Sequence, residues 1–192
     1  MKMTNNEIKK SVLAGAVFVY PTDTLYGIGC NALDGNAVER IKKIKGRDAN
    51  SNKPMSVIMG TLDMVREYCE VDAKQLEILI NCLPGPFTFI LKLKRGKALP
   101  VTNTGKIGVR VPEHQFARKL SSELGIPIVT TSANISGKKD ASKVSGIDKK
   151  VLGAVDFTVD MGETRYKQGS TVIDLTEKEF KVLRKGAGSF GL

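Results

Sequence analysis

The chain has 192 residues and a mass of 20.8 kDa, which suits one ordinary domain with a proper buried core. Hydrophobic residues make up 41 % and charged residues 26 %, which excludes a disordered polyelectrolyte. The 30 Lys and Arg against 20 Asp and Glu leave a net charge of +10. That surplus favours a polyanionic partner (nucleotide, nucleic acid or an anionic membrane) or a Lys-rich solvated face.

No apolar run approaches the roughly 18 residues of a membrane span. The polar stretch Met1 to Lys10 lacks the apolar region of a secretory signal. Cys30, Cys69 and Cys82 lie far apart and are odd in number, so they form neither a metal spacing nor a disulfide framework. They read as reduced residues of a cytoplasmic protein. The single His114 follows Pro112-Glu113 at a helix start and reads as structural. A Ser-His-Asp triad or a His-based metal site has little to work with.

In chain order, Asn6 to Ala14 reads as a helix with Ile8, Val12 and Leu13 on one side. Ala16 to Tyr20 is a short run of strand formers stopped by Pro21. Asn36 to Lys45 predicts an amphipathic helix ended by Gly46. Its Ala37, Ile41 and Ile44 point inward, and Lys42, Lys43 and Lys45 outward. Met55 to Met59 predicts a strand, then Leu62 to Cys69 and Ala73 to Cys82 two short helices. The turn Pro84-Gly85-Pro86 launches a strand from Phe87 to Leu93. Ile107 to Val111 is a strand cut by Pro112, His114 to Leu124 a helix, and Pro127 to Thr131 a strand. Ala154 to Val159, Thr171 to Leu175 and Phe180 to Arg184 predict three more strands, without clear helices between them. The pattern predicts an α/β fold with a mixed parallel and antiparallel sheet and flanking helices. One domain is expected over residues 1–186, with a flexible tail from 187 to 192.

No Walker A pattern occurs. Gly27-Ile28-Gly29-Cys30-Asn31-Ala32 fits G-x-G-x-x-A, but Pro21 to Thr24 separates it from the preceding strand. A dinucleotide site needs its first glycine at the strand-to-helix turn, so a strand whose backbone approaches a neighbour closely is the better reading. Four constellations carry more chemistry. Pro21-Thr22-Asp23-Thr24 sets hydroxyls and a carboxylate at a strand end, where small polar ligands bind. Lys45, Arg47 and Lys53 gather cations at and after a helix end, and Arg forks match phosphate oxygens. Thr130 to Gly137 strings small hydroxyls and an amide after an apolar strand, as a loop reading an anion or ribose would. Ser170 and Arg184 lie at the ends of two late strands.

These motifs, in this order, resemble the YrdC-like family of threonylcarbamoyl-AMP synthases. The similarity runs from Val17 to Gly186. It is carried by PTDTLYGIG from Pro21, KGR from Lys45, GPFT from Gly85, GVRVP from Gly108, SANISG from Ser132 and STVID from Ser170. The resemblance implies a twisted α/β fold with a wide basic groove. It implies an enzyme that joins L-threonine, bicarbonate and ATP into threonylcarbamoyl-AMP and releases pyrophosphate, with Mg²⁺ on the phosphates. A separate transferase complex then passes the threonylcarbamoyl group to a tRNA adenosine.

By the same resemblance, Lys45, Arg47 and Lys53 match phosphate ligands, and Lys45 and Arg47 the catalytic cations. Ser132, Asn134, Ser142, Lys106 and Arg184 match further ATP contacts. Thr24, Arg110 and Ser170 match the threonine site, with Arg110 clamping the carboxylate. Two positions depart from the family: Asp48 stands where many members have Pro, and Ile58 where some have His. Two alternatives share the fold: a YciO-like paralogue, and a non-catalytic module binding double-stranded RNA or tRNA.

Overall fold

A computed structural model describes residues 3–46 and 55–191. Arg47, Asp48 and Lys53 lie outside the described residues. Helix α1 (Asn5–Leu13) starts at Thr4. The Thr4 hydroxyl accepts from the Glu7 N–H, and the Glu7 carboxylate accepts from the Thr4 N–H. Strands β1 (Phe18–Pro21) and β2 (Tyr26–Gly29) form a fully buried antiparallel hairpin. Helix α2 (Gly35–Ile44) begins at Asp34, whose carboxylate accepts from the N–H groups of Asn36 and Ala37.

Next come β3 (Ser56–Ile58), α3 (Leu62–Tyr68), β4 (Cys69–Glu70), α4 (Ala73–Cys82) and β5 (Phe87–Leu93). They are followed by β6 (Lys106–Arg110), α5 (Gln115–Leu124) and β7 (Ile128–Ser132). The chain ends with α6 (Lys149–Ala154), β8 (Phe157–Thr158), β9 (Thr171–Asp174) and β10 (Lys181–Arg184). The strands join one sheet in the order β10-β9-β5-β6-β3-β7-β2-β1-β8, with β4 pairing separately with β5. β1/β8, β3/β6 and β5/β9 pair in parallel. The other pairs are antiparallel. The sheet is mixed, as its alternating elements predict.

Side chains alternate between the two faces of a strand, and the core divides accordingly. Val19, Val57 and Val129 belong to the larger cluster, with α2, α3 and α4 contributing Ile41, Val65 and Leu79. Phe18, Tyr20, Ile58 and Ile128 belong to the smaller one, under Ile8 and Val12 of α1 and Ala117 and Leu120 of α5. On this second face the register sets Ser56 opposite both Thr130 and Gly108, and Gly108 opposite Ile90. The face is thus apolar beneath α1 and α5. It turns polar two residues along the same strands, at Ser56 and Thr130.

Two readings of the sequence need correction. Residues 154–159 are not one strand: α6 runs through Ala154, and β8 holds only Phe157 and Thr158. At six residues α6 is too short for its apolar spacing to register, and its clearest signal is the Asp148 carboxylate accepting from the Lys150 N–H. Lys45, expected outward, is 2 % exposed. The G-x-G pair lies inside β2, where its missing side chains make room for the Tyr20 ring. Residues 187–190 lie against the body of the domain. The Ala187 N–H donates to the Gly169 carbonyl, and the Phe190 ring meets Phe87 and Phe89 edge-on.

A methyl at Gly29 would come within 2.5 Å of the Val129 carbonyl oxygen and 2.6 Å of the Tyr20 ring. Gly29→Ala is therefore expected to destabilise the fold by about 1–3 kcal/mol, read from the midpoint of urea unfolding. Burial pushes the Cys69 thiol up to about 12 and the Cys30 thiol up as well. Alkylation of the folded protein at pH 8 should reach half-buried Cys82 first and spare the other two. Equal rates at all three thiols would contradict this packing.

Candidate active site

The uncovered half of the second sheet face is the floor of a cavity of about 420 Å³. Thr130, Ser56, Gly108 and Ile90 cross it from strand to strand. Its walls come from the connections at the strand ends. The turn between β1 and β2 contributes Thr22, Thr24 and Leu25. The end of β7 contributes Thr131 and Ser132, and the approach to β9 contributes Gly169 and Ser170. Arg110 enters from the end of β6, and Leu183 and Arg184 from β10. Asp140 is the one carboxylate of the lining among the described residues. Five residues expected from the sequence thus meet in one cavity: Thr24, Arg110, Ser132, Ser170 and Arg184.

Hydrogen bonds fix the wall residues before any ligand arrives. The Thr22 hydroxyl donates to the Leu25 carbonyl at 2.7 Å and lies 2.9 Å from the Thr24 hydroxyl. The Thr88 and Ser170 hydroxyls are 2.7 Å apart. Arg184 donates to the Ser170 carbonyl from Nε at 3.1 Å and from Nη2 at 2.8 Å. Arg110 donates from Nη2 to Asp23 Oδ1 at 2.6 Å and to the Thr24 hydroxyl at 2.9 Å. Its Nε is buried and has no hydrogen-bond partner.

Burial pulls Arg184 down from the ordinary arginine range; the Asp140 charge opposes that shift, and the Arg110 charge adds to it. Two arginines that repel each other beside one cavity, one of them partly desolvated, make a site for an anion. The hydroxyls around them supply neutral donors and acceptors for sugar or amino-acid groups.

Lys45 is not on the cavity wall. It follows the last residue of α2, and its ammonium runs inward under the loop after β7. It donates to the Ser132 carbonyl at 2.6 Å, and to the Asn134 carbonyl and Oδ1 at 2.9 Å each. Three ammonium hydrogens meet three oxygens. Asn134 is also turned inward: its Oδ1 accepts from the Ser132 hydroxyl at 2.7 Å, and its Nδ2 donates to the Lys138 carbonyl. In the unliganded chain both side chains are thus turned towards the loop after β7. Together they hold the backbone that carries Ser132 into the cavity. Their family signature was legible, but their orientation depends on a loop 87 residues further along the chain.

Two other expected contacts point elsewhere. Lys106 donates to the Thr176 hydroxyl at 2.7 Å and to Glu177 at 3.0 Å, at the β9–β10 turn. It starts the strand whose far end carries Arg110, so the two lie at opposite ends of β6. Ser142 donates to Glu163 at 3.2 Å, outside the cavity lining. Arg47 and Lys53 fall outside the described residues. Sequence reasoning missed Ser56 and Asp140, and gave no individual role to Thr22, Thr88, Thr130 and Thr131 within the motifs it singled out. The hydroxyls among them at strand positions could have been found by following one strand face from its apolar to its polar end.

Lys45→Met would leave three inward-facing oxygens without this donor. It is expected to lower the stability of the unliganded protein by at least about 2 kcal/mol and to weaken nucleotide binding. A direct phosphate ligand would leave the unliganded stability unchanged, so thermal unfolding without ATP separates the two roles.

The family model Sua5_yciO_yrdC, described as telomere recombination, matches residues 10–186. A relative named "Putative threonylcarbamoyl-AMP synthase" from Methanocaldococcus jannaschii is 39 % identical over 180 residues, covering 93 % of this chain and 84 % of the relative. The threonylcarbamoyl-AMP synthase of Pyrococcus abyssi is 36 % identical over 90 % of this chain and 51 % of the relative. This chain therefore spans about half the length of that protein. Among solved structures, P. abyssi Sua5 complexed with L-threonine matches with a TM-score of 0.82 at 32 % identity, over 97 % of this chain and 56 % of that one. E. coli YciO matches with a TM-score of 0.85 at 32 % identity, over 96 % and 89 % of the two chains. Matched by the family model along nearly its whole length, the chain belongs to the Sua5/YciO/YrdC family.

Proposed function

We propose that this chain is a threonylcarbamoyl-AMP synthase, using L-threonine, bicarbonate and ATP. The observation that carries the reading is the pairing of Arg110 and Arg184 in one hydroxyl-lined cavity. Relatives bearing the synthase name, and a threonine complex of the same fold, support it. In this reading the threonine carboxylate meets the Arg110 guanidinium where it lines the cavity. The rest of the amino acid lies among the hydroxyls of Thr24, Thr88 and Ser170. The nucleotide takes the side bounded by Ser132 and Arg184.

The chemistry asks for little more than placement. The threonine amine adds to the carbon of bicarbonate, and water leaves, giving a carbamate. A carbamate oxygen then attacks the α-phosphorus of ATP. The new O–P bond forms as the α–β bridging O–P bond breaks, and pyrophosphate departs with the electron pair. No protein nucleophile is required. Alignment of the two substrates and neutralisation of charge carry the reaction, and the arginines are placed to supply both.

Among the described residues no group of three His, Cys, Asp or Glu side chains converges into a cage for a metal ion. Mg²⁺ then enters as the counter-ion of the nucleotide, held by its phosphate oxygens. We place the reaction in the cytoplasm, with the product passed by a separate transferase complex to tRNA.

Purified protein given Mg-ATP, L-threonine and bicarbonate should release pyrophosphate. Omitting threonine or bicarbonate should abolish that release. Release that ignores either omission, or none with the full mixture, contradicts the reading. Ser132→Ala should weaken ATP binding by roughly tenfold, the scale of one hydrogen bond to a charged group, as read by calorimetry. Unchanged affinity would move the nucleotide elsewhere.

A further inference from the structure

Asp23 is absent from the cavity lining, yet it bonds to the segments that carry Arg110, Glu113 and Tyr166. Its side chain is 1 % exposed. Oδ1 accepts from Arg110 Nη2 at 2.6 Å, and Oδ2 accepts from the Glu113 N–H at 3.0 Å. Its main-chain carbonyl accepts from the Tyr166 N–H at 2.9 Å. The loops after β1, after β6 and after β8 therefore meet on one residue. The next residue is tied in as well: the Thr164 hydroxyl donates to the Thr24 carbonyl at 2.7 Å.

We infer that Asp23 is a positioning residue for carboxylate binding, which holds the Arg110 guanidinium in place at the cavity wall for the amino-acid substrate. The inference rests on the synthase reading, because that reading supplies the carboxylate. Three observations carry it. Asp23 is buried and off the cavity wall, so it acts on a ligand only through a neighbour. Its bond is to one end of the guanidinium, Nη2, which Thr24 also accepts from. The same arginine lines the cavity.

A guanidinium recognises a carboxylate by the direction of its N–H groups. An arginine held at one end keeps that direction while unliganded, and the cost of ordering it is met by the fold rather than by the ligand. Pairing with Asp23 also cancels much of the Arg110 charge locally. What Arg110 offers the substrate is then an aimed donor more than a free cation.

Wild-type protein is first titrated with L-threonine by calorimetry without ATP, alongside the pyrophosphate assay. Absence of both signals overturns the synthase reading, and with it the ligand, before any variant is made. With binding established, Asp23→Asn should weaken threonine at least about tenfold and leave ATP affinity within about twofold. In an Arg110→Lys background the same substitution should change threonine affinity by less than about twofold, because residues acting as one unit are not additive. Equal losses for threonine and ATP, or an undiminished tenfold loss in the Arg110→Lys background, would overturn the inference. Wild-type protein gives an independent readout by ¹⁵N NMR. The Arg110 Nε–H should exchange slowly with water before ligand is added and shift when threonine saturates. Fast exchange, or a signal that threonine leaves unmoved, overturns the inference whether or not Asp23→Asn folds.

Discussion

One sheet face is covered over only part of its width, and the cavity follows from that constraint. Strand side chains alternate, so every second residue of β3 and β7 must serve the same face along its whole length. Beneath α1 and α5 that face carries Ile58 and Ile128, sealed with Phe18 and Tyr20. Beyond the helices the same rows carry Ser56 and Thr130. An apolar residue there would add exposed surface, and a polar residue under the helices would need a buried partner. Where the helices stop therefore decides where binding chemistry can sit. Loops from β1, β6, β7, β9 and β10 then raise walls around that floor.

Those walls are held by charged groups whose own contacts lie out of the ligand's reach. Lys45 fixes the Ser132–Asn134 turn from below, and Asp23 fixes Arg110 from behind. Arg184 does the same for Ser170 while still lining the cavity. Lys45, Asp23 and Arg184 are each bonded to another segment of chain, so binding requires little reorganisation there. Preorganised donors of this sort suit a reaction in which the protein contributes alignment and charge rather than a covalent step.

Much of this was legible in the sequence. The bounds of α4 and β5 follow from apolar spacing and the turn at Pro84 to Pro86, and the structure reproduces them. Thr24, Arg110, Ser132, Ser170 and Arg184 were found by motif and share one cavity. The failures have a common physical cause, because a local pattern does not show what a distant segment brings. Lys45 reads as one more outward lysine at a helix end until the loop after β7 supplies three acceptors. Asp23 reads as a carboxylate open to a ligand at a strand end until Arg110, 87 positions later, folds against it. Lys106 shares a strand with Arg110 but sits at its other end, and a motif does not show which end of a strand meets the cavity. Ser56 lies in no such motif, and only the strand register brings it to the cavity.

The central claim is that one cavity joins an amino acid and a nucleotide through a carbon atom taken from bicarbonate. Incubation with ¹³C-bicarbonate, L-threonine and Mg-ATP, followed by rapid mass spectrometry, tests it most directly. The account predicts an adenylate that contains threonine and one ¹³C atom, formed in step with pyrophosphate. A threonyl-adenylate without the label, or ADP and phosphate in place of AMP-linked product, would contradict it.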